Sequence, residues 1–337
     1  MNLFDDSKLY FIAEFNTSHF GDIGLAKEMI ELVKECGANC VKFQSWTAET
    51  LYSKSYYLQN PIAKRFVKKY SLSEKQLLEL ARHCEKVGID FLSTPYSIRE
   101  AKFLINDCGS KVIKIASMEL NNLAYLSEIA ALDADIILST GMSDLCEIKV
   151  AVESILERSN YNLCLLHCVS QYPTELENAN ILNVKLLKDV FTDLLVGYSD
   201  HTLGYEAALA SVVLGARVIE RHFTFDKTRI GMDNHMASEP PEFRELVQRC
   251  HNVMQALGSY DRIITKEDID QRSNMRRSVV YQRDLSAGHV LKAEDLTFKR
   301  PGTGIPPTEA NEIIGKLLVT SVEADVLVDL NHFNKND

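Results

Sequence analysis

Apolar residues along this chain gather in eight short runs, separated by longer stretches in which they recur every three or four positions. The runs are LYFIAEF (9–15), CVKFQSW (40–46), DFLSTPY (90–96), VIKIASM (112–118), DIILSTG (135–141), LCLLHCV (163–169), LLVGYSD (194–200) and RVIERHFT (217–224). Each has strand length and is rich in Val, Ile, Leu or aromatic side chains, which predicts a strand. Between them, LAKEMIELVKECG, EKQLLELARHCEKVG and YEAALASVVLGA carry the helical period. Gly37, Gly88, Gly109 and Gly215 stand where helices should stop. PPEFRELVQRCHNVMQALG (240–258) predicts the last long helix, with proline in its first turn.

Eight strand–helix pairs in about 250 residues predict an α/β fold, the closed (β/α)8 TIM barrel. The rival is an open doubly wound sheet, but no GxGxxG turn follows the first strand. The longest irregular insertion, 47–72, follows the second strand and is predicted to be an active-site loop. Beyond residue 260 the pattern changes to short β-like runs, polar turns and one short helix, EANEIIG. We therefore expect a barrel over 1–260, a linker over 261–275 and a small β-rich domain over 276–337. A domain of that size is marginal alone and should dock on the barrel or on another subunit.

Composition narrows the partners. With a formal net charge of −10 and no basic stripe, the chain is not expected to bind nucleic acid. Any anionic ligand must be met by a few cations in one cleft. The eight cysteines lack CxxC spacing and sit mostly in apolar segments, so they read as buried free thiols. MNLFDDSKLY has no signal-peptide pattern, and no apolar run reaches the roughly 18 residues a membrane span needs. A soluble, cytoplasmic protein is the expectation.

In a barrel the strand C-termini share one mouth, and chemistry belongs there. Those ends supply Glu14, Lys42 with Gln44, Thr94, Lys114 with Ser117 and Glu119, Ser139 with Thr140, Ser170 with Tyr172, Ser199 with His201, and His222. His201 and His222 end the seventh and eighth strands, which are neighbours, so their imidazoles can meet at one divalent ion such as Mn²⁺ or Mg²⁺. Lys42 and Lys114 interrupt apolar strands, and a buried lysine is costly unless it meets an anion. With the hydroxyls of Thr94, Ser117, Ser170 and Ser199 they describe a site for phosphate and carboxylate. Lys42 could instead form a Schiff base, as in an aldolase. Glu14 or Glu119 could act as acid or base. His19 and His167 are weaker candidates, and His167 is expected to pack within its strand.

IAEFNTSHFGD, VKFQ, FLSTPYS, KIASMEL, STGMS, HCVSQYPT, GYSDHTLG and ERHFT, in this order, resemble the sialic acid synthase family, and RPGTGI resembles its antifreeze-like (SAF) domain. The resemblance implies condensation of phosphoenolpyruvate with an N-acetylated hexosamine to a nine-carbon sialic-type acid, with release of phosphate. It implies a barrel followed by an SAF domain in a domain-swapped homodimer. On this resemblance His201 and His222 hold the metal, Mn²⁺ with Mg²⁺ or Co²⁺ as alternatives. Lys42, Thr94, Lys114, Ser117, Ser170, Tyr172 and Ser199 surround phosphoenolpyruvate. Gln44, Tyr172, Asp233 and Arg300 contact the sugar, Arg300 from the other subunit, and Glu14, Glu119 and His222 are the catalytic set. The chain departs from the family's EIGxNHxG, reading EFNTSHFG with Ser18 at an asparagine position. It also reads GMD for GPD at 231–233, and Met118 replaces a small residue. These departures lie on the sugar side and bear on which sugar is taken. An inactive sugar-binding protein is the remaining alternative.

Overall fold

Each apolar run folds as a strand, slightly trimmed. The computed structural model describes residues 3–334. Its strands are β1 (Tyr10–Glu14), β2 (Cys40–Gln44), β3 (Asp90–Thr94), β4 (Val112–Ile115), β5 (Asp135–Ser139), β6 (Leu163–Cys168), β7 (Leu195–Asp200) and β8 (Val218–His222). All pair in parallel, in the order β3-β2-β1-β8-β7-β6-β5-β4. β3 and β4 lie side by side without a ladder, so the barrel is nearly closed.

Strand side chains alternate between two faces, and here the alternation separates packing from chemistry. Outward residues such as Phe11, Val41, Phe43, Ile113 and Leu165 join a core with the surrounding helices. Inward residues change character along the barrel axis. Ile12, Cys40, Leu92, Ile137, Leu166 and Val218 form an apolar plug. Two residues further along the same faces stand Glu14, Lys42, Thr94, Ser139, Cys168 and Glu220, all buried. The polar layer thus rests on a dry floor at the C-terminal ends of the strands.

The outer helices are α1 (Ile23–Glu35), α2 (Lys54–Gln59), α3 (Pro61–Tyr70), α4 (Glu74–Val87), α5 (Ile98–Asn106), α6 (Leu123–Ala130), α7 (Leu145–Leu156), α8 (Leu182–Val190), α9 (Glu206–Val213) and α10 (Pro240–Leu257). Local signals set their ends. Ser73 with Gln76, and Asp144 with Glu147, form capping boxes at α4 and α7. Gly88 closes α4 with φ +75°. Each α1 or α4 leucine or valine buried against the strands contributes about 1.5–3 kcal/mol.

The insertion 47–72 corrects the sequence expectation, because it is helical and not irregular. Ser53 caps α2, Pro61 opens α3, and Tyr57, Val67 and Tyr70 pack on Trp46 and Ala48 in their own small core. Among the described residues no helix is long and apolar enough to cross a membrane, and all eight cysteines are free, buried as expected except for the half-buried Cys108 and the exposed Cys146.

The chain divides into two units between Gly258 and Ser259. The stretch expected as a linker, 261–275, contains helix α11 (Lys266–Met275), and the short helix expected at EANEIIG is a 3-10 helix over Pro307–Glu312, with 313–315 in a turn. The second unit pairs β9 (Ser278–Tyr281) with β10 (Leu296–Lys299) and adds isolated antiparallel bridges such as Leu285 to Val322. Val279, Tyr281, Leu291, Leu318 and Phe333 form its core.

Candidate active site

Four charges share the barrel interior. The Lys42 ammonium is in ion-pair contact with Glu14 Oε2 and lies 3.6 Å from Glu220 Oε1. Lys114 Nζ lies 3.9 Å from Glu220 Oε2 and donates to Ser139 Oγ at 2.6 Å. Ser199 Oγ donates to Glu220 Oε1 at 3.0 Å, and Lys42 Nζ to Thr94 Oγ1 at 3.4 Å. Glu14 Oε2 and Glu220 Oε2 are buried and accept no hydrogen bond. These two oxygens face the ammoniums alone, which leaves polar capacity in the site for a ligand, while Glu14 Oε1 accepts from Gln44 and Glu220 Oε1 from Ser199.

Burial opposes the charges of Lys42, Lys114 and Glu220, and the neighbours decide the outcome. At Lys42 burial works against the ammonium, but Glu14 and Glu220 together outweigh it and raise its pKa. At Lys114 burial prevails over Glu220 and the pKa is lowered. Glu220 loses solvation, yet Lys114 and Lys42 hold it well below the usual carboxylate range. A Schiff-base lysine needs a depressed pKa. At Lys42 the two carboxylates act in the opposite direction, which disfavours the aldolase alternative drawn from the sequence.

Above this layer the two histidines meet. Their ring centroids are 5.5 Å apart with the planes at 61°. His201 Nδ1 lies 2.8 Å from the Val169 carbonyl, and donating to it leaves Nε2 as the ring's free lone pair. Burial lowers the pKa of His201 and brings that of His222 down to about 4, so both rings are neutral near pH 7. Two neutral imidazoles on adjacent strand ends are a donor set that fits a divalent cation with open positions for water and substrate. Among the described residues no group of three or more His, Cys, Asp or Glu side chains is arranged to hold a metal.

Hydroxyls crowd the β4–β6 side. Ser117 Oγ accepts from the Gly141 N–H at 3.0 Å and sits 3.1 Å from Cys168 Sγ. A β-carbon on Gly141 would lie 2.7 Å from Ser170 Oγ and 2.9 Å from Ser117 Oγ, so only glycine leaves these groups their places. Tyr172 stacks near His201, with centroids 4.2 Å apart, and is partly open to solvent. Gln44 donates to Glu14 Oε1 at 2.9 Å and accepts from the Tyr96 hydroxyl at 2.9 Å. Asp233 Oδ2 lies 4.0 Å from His222 Nδ1.

Other expected residues stand further out. Glu119 accepts from Asn122 at 2.9 Å and joins neither lysine nor histidine. Arg300 belongs to the second unit, in the loop after β10. His167 bonds the Ala179 carbonyl at 2.8 Å and stacks on Tyr198, the packing role expected for it. His19 accepts from the Gly21 N–H at 3.0 Å. Three residues at the mouth were missed. Glu220 was readable, because in VIERH it shares strand parity with His222 and therefore points inward. Tyr96 and Asn16 lie in loops, where parity says nothing.

Fold and mouth together define a (β/α)8 barrel whose strand ends gather two neutral imidazoles, two lysines and two carboxylates over an apolar floor. The chain belongs to the NeuB family, whose sequence profile matches residues 29–262, and a SAF domain matches residues 276–334. It is 38% identical to the N,N'-diacetyllegionaminic acid synthase of Campylobacter jejuni, over 95% of this chain and 99% of that one. It is 33% identical to the human N-acetylneuraminate-9-phosphate synthase, over 94% and 90%. The crystal structure of the N-acetylneuraminic acid synthetase from Leptospira borgpetersenii superposes with a TM-score of 0.73 at 32% identity, covering 80% of this chain and 93% of that one.

Proposed function

We propose that this protein is a nonulosonic acid synthase, condensing phosphoenolpyruvate with an N-acetylated hexosamine to a nine-carbon sialic-type acid and releasing phosphate. The names of its relatives support the synthase class. The observation that carries the reading is the buried Lys42–Glu220–Lys114 cluster directly beneath the His201–His222 pair.

Phosphoenolpyruvate is small, trianionic and rich in acceptors. Lys42 and Lys114 supply the ammoniums for it, and Thr94, Ser117, Ser170 and Ser199 the hydroxyls. Gln44, Tyr172 and Asp233 face the acceptor sugar, with Arg300 of the partner subunit completing that side in a domain-swapped homodimer. The enol carbon attacks the aldehyde of the open-chain sugar. A water adds to the resulting cationic carbon, and the tetrahedral adduct expels phosphate by C–O cleavage. Glu14 and Glu119 stand on the sugar side to take or give protons, and Lys42 and Lys114 neutralise the departing anion. A divalent cation held by His201 and His222, Mn²⁺ with Mg²⁺ or Co²⁺ as alternatives, would supply Lewis-acid polarisation of the aldehyde oxygen. The acceptor is N-acetylmannosamine or a 2,4-diacetamido-trideoxyhexose.

The test is phosphate release on mixing the protein with phosphoenolpyruvate, Mn²⁺ and each candidate sugar in turn. One sugar should support turnover. His222→Ala should keep the wild-type melting profile and lose at least about a thousandfold in turnover. Substantial metal-independent turnover in that variant would overturn the assignment of His222.

A further inference from the structure

Asn16 follows β1 with φ +36°, in the left-handed region. Glycine occupies that region without steric penalty, and asparagine is one of the few side chains that tolerates it. The chain nevertheless places a side chain here, and its contacts show what it does. The Asn16 backbone N–H donates to Glu14 Oε1 at 2.9 Å. Its side-chain amide donates to Asp233 Oδ2, the oxygen that also faces His222.

Neighbouring ties already hold the two loops together. The Met232 N–H donates to Thr17 Oγ1 at 3.1 Å, Ser18 Oγ to Asn234 Oδ1 at 3.2 Å, and the Arg229 guanidinium covers the Phe20 ring at 3.6 Å. The loops therefore do not depend on Asn16 for their position. Asn16 makes the one tie of this series that ends on a carboxylate beside the histidine pair.

We infer that Asn16 is a positioning residue that fixes the Asp233 carboxylate for the hydroxyls of the acceptor sugar. The inference rests on the proposed role of Asp233. The amide on Oδ2 restrains the carboxylate's rotation and leaves its remaining lone pairs to accept from a ligand that presents donors at that spot. A polyhydroxylated amino sugar does so.

Two variants separate this from a conformational role. Asn16→Gly deletes the amide and relaxes the backbone. Asn16→Asp keeps size and left-handed tolerance but sets a carboxylate against Asp233. A hydrogen bond to a charged group corresponds to roughly a 10- to 100-fold change in binding. We expect Asn16→Gly to raise the KM for the amino sugar by roughly tenfold, with kcat less affected and the KM for phosphoenolpyruvate within about twofold of wild type. Asn16→Asp should raise the sugar KM further. If Asn16 serves only the backbone, Asn16→Gly will show unchanged sugar KM and equal or higher melting temperature, and the inference is overturned while the proposed function stands. If wild-type protein releases no phosphate with any candidate sugar, both fall together.

Discussion

Lys42 and Lys114 are chemically alike and stand in unlike fields. Lys42 touches Glu14 and lies near Glu220, so it neutralises two buried carboxylates at once. Lys114 shares only Glu220, at 3.9 Å, and its pKa is lowered by burial. Removing one member of a buried pair strands the other charge, at a cost of about 3–5 kcal/mol. Lys42→Met should therefore destabilise the barrel by about that amount. Lys114→Met relieves an unfavourable desolvation and leaves Glu220 still served by Lys42 and Ser199, so about 2 kcal/mol is the most it should cost. Chemical denaturation of the two variants measures the difference, and equal losses would refute the asymmetry. The lysines were legible in the sequence because a charge inside an apolar strand stands out. Of their partners, Glu14 was legible at the end of β1, whereas Glu220, in the middle of β8, stands out only when its strand parity with His222 is counted.

At the scale of elements, the site depends on how closely strand ends and loops approach. Gly141 follows β5, where a β-carbon would intrude on Ser170, Cys168 and Ser117 together. Gly141→Ala should displace those hydroxyls by a few tenths of an ångström and lower kcat/KM for phosphoenolpyruvate roughly 10- to 100-fold. A steady-state titration of phosphoenolpyruvate checks this, and an unchanged kcat/KM would remove Ser117 and Ser170 from the binding set. The strands were readable because each is a compact apolar run. The helices α2 and α3 were not, since a single apolar edge, Phe66, Val67 and Tyr70, sits among lysines and arginine. α11 has no buried residue at all, so no stripe exists to read, and only the Thr265 cap marks its start.

For the whole molecule, the sequence placed Arg300 and His222 more than 70 residues apart and in different units, and no periodicity could join them. The second unit is built to hold its own loops. Asp295 is fully buried and accepts from Arg283, His289 and the Lys292 N–H, and this fixes the start of β10, which leads into Arg300. Under the proposed swapped dimer, each site combines His222 of one subunit with Arg300 of the other. Arg300→Ala and His222→Ala homodimers should then both be deficient, the first chiefly in sugar binding. Co-expression of the two variants under different tags produces mixed dimers. In a mixed dimer one site carries both substitutions and the other carries neither. Random pairing makes half the dimers mixed with one intact site each, so the population should recover about a quarter of wild-type activity. If Arg300 served its own subunit, or the protein acted as a monomer, every site would keep one defect and co-expression would restore nothing. Phosphate release from the doubly tagged fraction decides between these arrangements without reference to the identity of the sugar.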